Sequence, residues 1–372
     1  MHRYNVRNGS LLPDRMKSTY PEITVNEIVD GWPYKSNMDT HIFVESENTN
    51  IVFNCISDAD DKLVLAIFDW DDNKIILYRE NGDDWDIYSE MVDLDLWDLY
   101  NYYSNNLIMY KSKLYLIAKN DTKFFIIKYD ETFHVNSIVA EKKLCHVSTT
   151  VINDLIYVFY IEQDGWETWN LKYFTVDENN LVSEIVLIKS FIYFTNIDVR
   201  VFNNTTYIFV TNYGNKYLFS SIDNFVNFQE IISPYYIIDY IIDLNGNFNF
   251  LSRDNTTEKY LLYYNGTDLV TDSNTTTYGA FFGKMSIDVN GKICITWLER
   301  LSLGSDTHFL LQRPYVNNEF KNILQITTIE NITDTFISHF SSTKCGIFYT
   351  AFPENCIVGG IIGDNINPYP YE

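Results

Sequence analysis

An all-β repeat fold is predicted by three features of this 372-residue chain. A short apolar strand returns seven times, as Ile51-Val52-Phe53, Leu114-Tyr115-Leu116, Ile156-Tyr157-Val158, Tyr207-Ile208-Phe209, Phe248-Asn249-Phe250, Ile293-Cys294-Ile295 and Ile347-Phe348-Tyr349. From Tyr115 onward the central residues stand between 41 and 54 apart, the period of a unit that holds several short strands. Aromatic residues reach 16%, with 29 Tyr and 25 Phe, against only 15 Gly and 8 Pro, so strands and hairpins outweigh flexible linkers and no long amphipathic helix is legible. Together these predict a single β-propeller, with seven blades preferred over six.

The elements follow in order. Residues 1–22 carry Pro13 and Pro21 without alternation and read as an irregular arm; the propeller occupies 23–363. Ile23-Thr24-Val25-Asn26-Glu27-Ile28-Val29 alternates at period two and is expected to complete the last blade, so that no sheet edge stays open. The first blade runs from about Asp39 to Val92, with strands near Ile51–Cys55, Leu63–Phe68 and Ile75–Tyr78. Later blades fall near 99–142, 143–191, 192–233, 234–273, 278–328 and 333–363, and Pro368 and Pro370 make 364–372 an extended tail.

Charge narrows the partners. The 27 Lys and Arg against 50 Asp and Glu leave a formal charge of −23, which repels phosphate backbones and anionic lipid surfaces. Nucleic acid is therefore not an expected partner. No run approaches the ~20 apolar residues of a spanning helix, so a soluble protein without membrane insertion is expected. The polar start Met1-His2-Arg3-Tyr4-Asn5 predicts no secretory signal.

Five cysteines, Cys55, Cys145, Cys294, Cys345 and Cys356, include no Cys-x-x-Cys pair, which fits neither a zinc site nor a disulfide framework. They are expected to be small core residues, with Cys345 and Cys356 the one pair placed to meet across a hairpin. The histidines show no metal spacing. Asp69, Asp71 and Asp72 offer clustered oxygens that suit Ca²⁺, although the turn lacks the glycine and closing Glu of an EF-hand and also reads as a polar hairpin tip. No other cofactor is expected.

Taking the repeated strand as the second from the axis, the loops that follow it define a candidate ligand face. These loops hold Asp58, Asp60 and Asp61, then Lys119 and Asp121, Glu162, Asp164 and Trp166, Tyr213, Arg253 and Asp254, Glu299 and Arg300, and Glu354. Carboxylates, amides and aromatics of this kind suit polyol hydroxyls, cations or basic protein loops. Asp164-Gly165-Trp166 is the best single loop, because Asp-Gly makes a tight turn and the following indole can offer a flat face to a sugar or peptide. Trp169, in phase with Leu171 and Tyr173, is expected to pack between blades instead.

Ser221-Ile222-Asp223-Asn224-Phe225-Val226-Asn227-Phe228 resembles the Asp-box, the Ser-x-Asp-x-Gly-x-Thr-Trp hairpin of sialidase-like propellers. Ser221, Asp223 and Phe228 match the pattern, while Phe225 replaces its glycine and Asn227 its threonine. The resemblance spans eight residues and implies a propeller turn, not a catalyst. A sialidase would need three converging arginines; Arg200 precedes its repeated strand whereas Arg253 and Arg300 follow theirs, so the three are not expected to share a face. Carboxylate pairs such as Glu162 with Glu299 or Asp254 would suit another glycoside hydrolase.

The reading that results is a non-catalytic binding or attachment propeller that recognises a glycan or protein partner. Its richness in Asn, Ile, Tyr and Asp is similar to that of phage and other viral proteins, which implies a virion component or a protein of the infected cell's cytoplasm. A sialidase-like or other glycoside hydrolase, and an intracellular scaffold that docks a basic protein, are the alternatives.

Overall fold

The computed structural model describes residues 41–44, 51–58, 60–69, 74–81, 84–92, 106–119, 121–165, 168–192, 196–202, 205–212, 215–222, 225, 227, 229–232, 236–253, 261–264, 269–271, 280–287, 293–300, 307–316, 319–320, 324–330, 332–340, 345–351 and 356–362. Among these the chain is all-β. Two compact units divide it: Asn50–Pro234, and Met1–Thr49 together with Tyr235–Glu372.

In the unit Asn50–Pro234, sheet one is β2 (Ile51–Ser57), β3 (Leu63–Asp69), β4 (Lys74–Asn81) and β5 (Asp84–Val92). Sheet two is β6 (Asn106–Tyr110), β7 (Lys113–Lys119), β8 (Lys123–Asp130) and β9 (Thr132–Val139). Sheet three is β10 (Lys143–Ile152), β11 (Leu155–Gln163), β12 (Thr168–Val176) and β13 (Val186–Ile192), and sheet four is β14 (Asn196–Phe202), β15 (Thr205–Asn212), β16 (Asn215–Ser221) and β17 (Gln229–Ile232). Each is an antiparallel meander, and the first strands of successive sheets lie side by side: β2 by β6, β6 by β10, β10 by β14.

The other unit repeats the pattern. Sheet five is β18 (Tyr236–Ile242), β19 (Phe248–Arg253), β20 (Leu261–Tyr264) and β21 (Leu269–Thr271). Sheet six is β22 (Ala280–Ile287), β23 (Ile293–Arg300) and β24 (Thr307–Val316), whose outer edge is shared by β25 (Glu319–Phe320) and β26 (Leu324–Glu330). Sheet seven is β27 (Ile332–Phe340), β28 (Cys345–Ala351) and β29 (Cys356–Ile362), with β1 (His41–Val44) antiparallel to β29 as its fourth strand. A strand from the beginning of the chain thus completes the last sheet. The expected segment 23–29 lies outside the described residues, and His41–Val44 belongs to sheet seven, not to the first blade.

The repeated triplets fall in second strands in six sheets: β7, β11, β15, β19, β23 and β28. The first copy is out of phase, because Ile51-Val52-Phe53 lies in β2, the first strand of sheet one, and β3 takes the second place. Sheets two and three are each stacked between two others of the same unit, so their second strands are covered on both faces; hence Leu114–Lys119 is a continuous buried run, without alternation. Where a fourth strand meets solvent the period of two returns, as in β9. Three clusters fill the spaces between sheets: Ala66 and Leu77 with Leu116 and Ile127, Tyr115 and Phe124 with Val158 and Tyr160, and Phe159 and Ile161 with Val199 and Ile208. Trp169 packs in the last of these, between sheets three and four as expected.

A side-chain clasp recurs between first strands. Asn106, Ser148 and Asp239 stand opposite Ile117, Phe159 and Leu251, each the residue directly after a repeated triplet. Asn106 Nδ2 donates to Val147 O at 2.9 Å, Val199 N–H donates to Ser148 Oγ at 2.9 Å, and Met285 N–H donates to Asp239 Oδ2 at 2.7 Å. All three bonds reach the first strand of the next sheet.

The hairpin turns share a second device. Asp58 Oδ1 accepts the N–H groups of Asp60 and Lys62 at 2.8 and 3.0 Å, and Asp243 Oδ1 those of Asn245 and Asn247 at 2.9 and 2.8 Å. In both, the fourth residue takes the left-handed conformation, Asp61 at φ +60° and Gly246 at φ +84°. Cys55, Cys145 and Cys294 are buried, as expected of small core residues. Cys345 pairs in register with Ile362 and Cys356 with Ala351, so these two stand at opposite ends of the β28–β29 hairpin, about 20 Å apart at strand rise. The expected cross-strand pair is therefore excluded by register.

Candidate functional site

The antiparallel meander gives each sheet two ends. Loops between second and third strands emerge at one; the first–second and third–fourth turns emerge at the other. Asp58, Asp60 and Asp61, expected on the loop face, belong to the β2–β3 turn and so sit at the opposite end, because the first repeated triplet is a first strand. Arg200 in β14 lies near the first–second turn of its own sheet, whereas Arg253 and Arg300 close the second strands of theirs.

At the loop end of sheet three, Glu162 is the next-to-last residue of β11, in the strand and not in the loop where it was expected, and is buried, with its side chain only 2% exposed. Its carboxylate forms an ion pair with Lys172 Nζ on the neighbouring strand β12. Asp164 pairs with Lys142, whose hydrogen bond holds the carboxyl below the usual Asp range. Asn170 then links outward, donating to Asp164 at 3.4 Å and accepting from Ser190 Oγ at 2.7 Å. The β10 bulge adds a second group: Cys145 and His146 together face Ile161, the extra residue turning the strand. Lys119, buried beside them, donates to Leu144 O at 3.1 Å. Burial lowers the Lys119 amine to about 8 and the His146 ring to about 4, and raises the Cys145 thiol to about 11. Glu162 and Lys172 are paired largely out of contact with solvent, whereas Asp164 and Lys142 pair half-exposed, and burial holds the imidazole as the neutral ring.

The other predicted face residues are not brought together by what is described. Arg253, Glu299 and Arg300 end β19 and β23, and Asp69 ends β3. Trp166, Tyr213, Asp254, Glu354, Asp71 and Asp72 lie outside the described residues.

A cavity that sequence reading missed opens at the turn end, between sheets one and two, with a volume of about 240 Å³. Its wall is a fork on β4: Arg79 Nε lies 2.6 Å from Asp58 Oδ2 and Nη2 lies 2.6 Å from Asp60 Oδ2. These bonds, that to Asp58 foremost, hold Arg79 above its ordinary pKa. The Arg79 guanidinium carbon stands 5.7 Å from the centroid of the Tyr88 ring on β5. Tyr88 in turn meets Tyr129 of β8 edge to face, centroids 5.2 Å apart at 63°, which joins the two sheets. Lys113 and Asp130 form an ion pair across the far side, and that bond lowers the Asp130 carboxyl. The floor is apolar, made by buried Val64 and Leu114.

No protein-family model and no curated protein matches the chain. Solved structures do. The chain is similar to one in the crystal structure of BBS1N in complex with ARL6DN soaked with mercury, at 9% identity over 91% of this chain and 99% of that one, with a TM-score of 0.56. The same complex soaked with lead gives a TM-score of 0.54 at 9% identity, over 90% and 98% of the two chains. The Hadza microbial sialidase Hz136 stands at 0.49, with 10% identity over 85% of this chain and 66% of that one, too low to bear on chemistry. At such identities the likeness speaks for the fold, and with the stacked four-stranded meanders it makes the class all-β and propeller-like.

Proposed function

We propose that this chain is a binding propeller that engages a partner without turning it over. The carrying observation is the state of its carboxylates. At both ends of the sheets in the unit Asn50–Pro234 they are committed to cations: Glu162 to Lys172, Asp164 to Lys142, Asp58 and Asp60 to Arg79, Asp130 to Lys113. A glycoside hydrolase needs one carboxyl that stays protonated to give its proton to the leaving oxygen. At Asp164 and Asp130 the adjacent ammonium favours the opposite, ionised form. Such pairs instead present fixed donors and acceptors, which is what recognition uses.

A glycan is the first class of partner, because the rings of Tyr88 and Tyr129 stand beside the Arg79 fork. A basic protein is the second, favoured by the net charge of −23. The Asn-, Ile-, Tyr- and Asp-rich composition supports a phage or viral attachment component. The test pairs a glycan array and a basic-protein pull-down with hydrolysis assays on chromogenic glycosides. Binding without product release supports the reading; turnover of any glycoside overturns it.

A further inference from the structure

We infer that the cavity between sheets one and two is a site for one neutral sugar ring, stacked on Tyr88 and held by the Arg79–Asp58–Asp60 fork. This rests on the binding reading above and names its ligand. Size comes first: about 240 Å³ is below the roughly 300–1,000 Å³ of drug-sized sites, and suits a single ring. The platform comes second. Tyr88 is 47% exposed, and the guanidinium of Arg79 over its ring together with the edge contact with Tyr129 fixes its tilt. A pyranose presents a face of C–H groups that packs on such a ring.

The polar groups supply orientation. A guanidinium has five N–H donors, and the contacts to Asp58 and Asp60 use Nε and one on Nη2, which leaves three N–H groups that these two contacts do not use. Asp58 Oδ1 is taken by the turn N–H groups of Asp60 and Lys62, so the exposed side chain of Asp60, paired with Arg79 through Oδ2, is the carboxylate that can accept a hydroxyl. Paired donors and acceptors in one plane match vicinal hydroxyls, which give and accept together.

Charge then selects among sugars. The lining holds Asp58, Asp60, Asp130 and Glu131 against Arg79 and Lys113, and both cations are already neutralised. An anionic sugar would meet net negative potential. A neutral one carries no net charge for that potential to repel.

The probes are methyl glycosides of glucose, galactose, mannose and N-acetylglucosamine, with the methyl glycoside of sialic acid and N-acetylarginine amide as comparisons, read by saturation-transfer NMR on the full chain. Expected are transfer to at least one neutral glycoside, weakening of at least about tenfold in Tyr88→Ala and in Arg79→Lys, and near-retention in Tyr88→Phe. Melting curves confirm that each variant is folded. If neutral glycosides bind but both Tyr88→Ala and Arg79→Lys stay within about twofold of wild type, the sugar lies elsewhere: this site falls and the binding reading stands. Preferential binding of the sialoside or of the arginine amide overturns the neutral-sugar assignment. Hydrolysis of a glycoside overturns the binding reading itself.

Discussion

Phe225 donates its backbone N–H to Ser221 Oγ at 3.0 Å while standing at φ +73°, a conformation that glycine adopts freely and a bulky side chain does not. In the Asp-box pattern this is the glycine position. The Phe225 ring is buried among Tyr157, Phe159 and Tyr173, at centroid distances of 6.1, 5.2 and 5.3 Å. An aromatic plug between sheets three and four thus holds the residue in a strained backbone state.

Replacing it by glycine sets the two effects against each other. Relief of the left-handed strain is worth about 1–2 kcal/mol, whereas loss of a buried Phe costs about 3–5 kcal/mol. Phe225→Gly should therefore be destabilised by about 2 kcal/mol in urea unfolding. Equal or greater stability than wild type would show that the strain, not the packing, dominates this turn.

Glu162 and Lys172 make a second prediction. Removing one partner leaves the other charged and buried, which costs about 3–5 kcal/mol, whereas replacing both with apolar or neutral groups is far milder. Glu162→Gln alone should therefore be markedly less stable than the pair Glu162→Gln with Lys172→Met. A double variant no better than the single one would mean that the ion pair does not govern this corner.

The pH dependence of folding should have two limbs. His146 keeps its proton off down to about 4 when folded, but takes one near 6.5 when unfolded. Over that interval the unfolded state binds more protons, so stability falls as pH drops from 6.5 toward 4, by about 2–3 kcal/mol after allowance for the ring's partial exposure. His146→Gln should lack this part of the acid loss. Lys119 gives the alkaline limb: it releases its proton near 8 when folded and near 10.5 when unfolded, so stability rises with pH above 8. The raised Cys145 thiol opposes this beyond about pH 9, because there the folded state holds the extra proton. A gain of roughly 1 kcal/mol between pH 8 and 9, absent in Lys119→Met, is expected.

The clasp between first strands can be tested at Ser148. Ser148→Ala leaves the Val199 N–H without its acceptor in a buried setting, at a cost of about 1–3 kcal/mol. Thr at this position keeps the oxygen and should recover most of the loss. If alanine and threonine behave alike, the hydrogen bond contributes nothing and only the packing matters.

Much of this fold was legible because its strands are short, apolar and regularly spaced. Six repeated triplets were placed correctly in second strands, since a strand covered on both faces must be apolar throughout. The first triplet was not: Ile51-Val52-Phe53 and Leu63-Val64-Leu65 are both apolar runs, and pattern alone cannot say which is second. That one-strand error moved Asp58 and Asp60 to the wrong end. The pairing of His41–Val44 with β29 joins positions about as far apart as the chain permits, and local pattern has no access to it. The cavity was missed for the same reason. Its acidic turn was visible, but Arg79 lies 21 residues from Asp58 and 19 from Asp60, a separation at which a lone arginine gives no signal. Glu162 was singled out for its place on a loop, and its burial became apparent only with Lys172 across the ladder.

The clasp at Asn106, Ser148 and Asp239 uses an amide, a hydroxyl and a carboxylate for one geometric task. What each receives or offers on the other side is main chain, which every residue except proline supplies in full. The junction between neighbours therefore constrains the height at which a polar atom stands, and hardly at all the identity of the residue that bears it. Copies joined this way are free to differ in sequence while the stacking of one on the next is kept, as the three different residue types of the clasp do within this one chain.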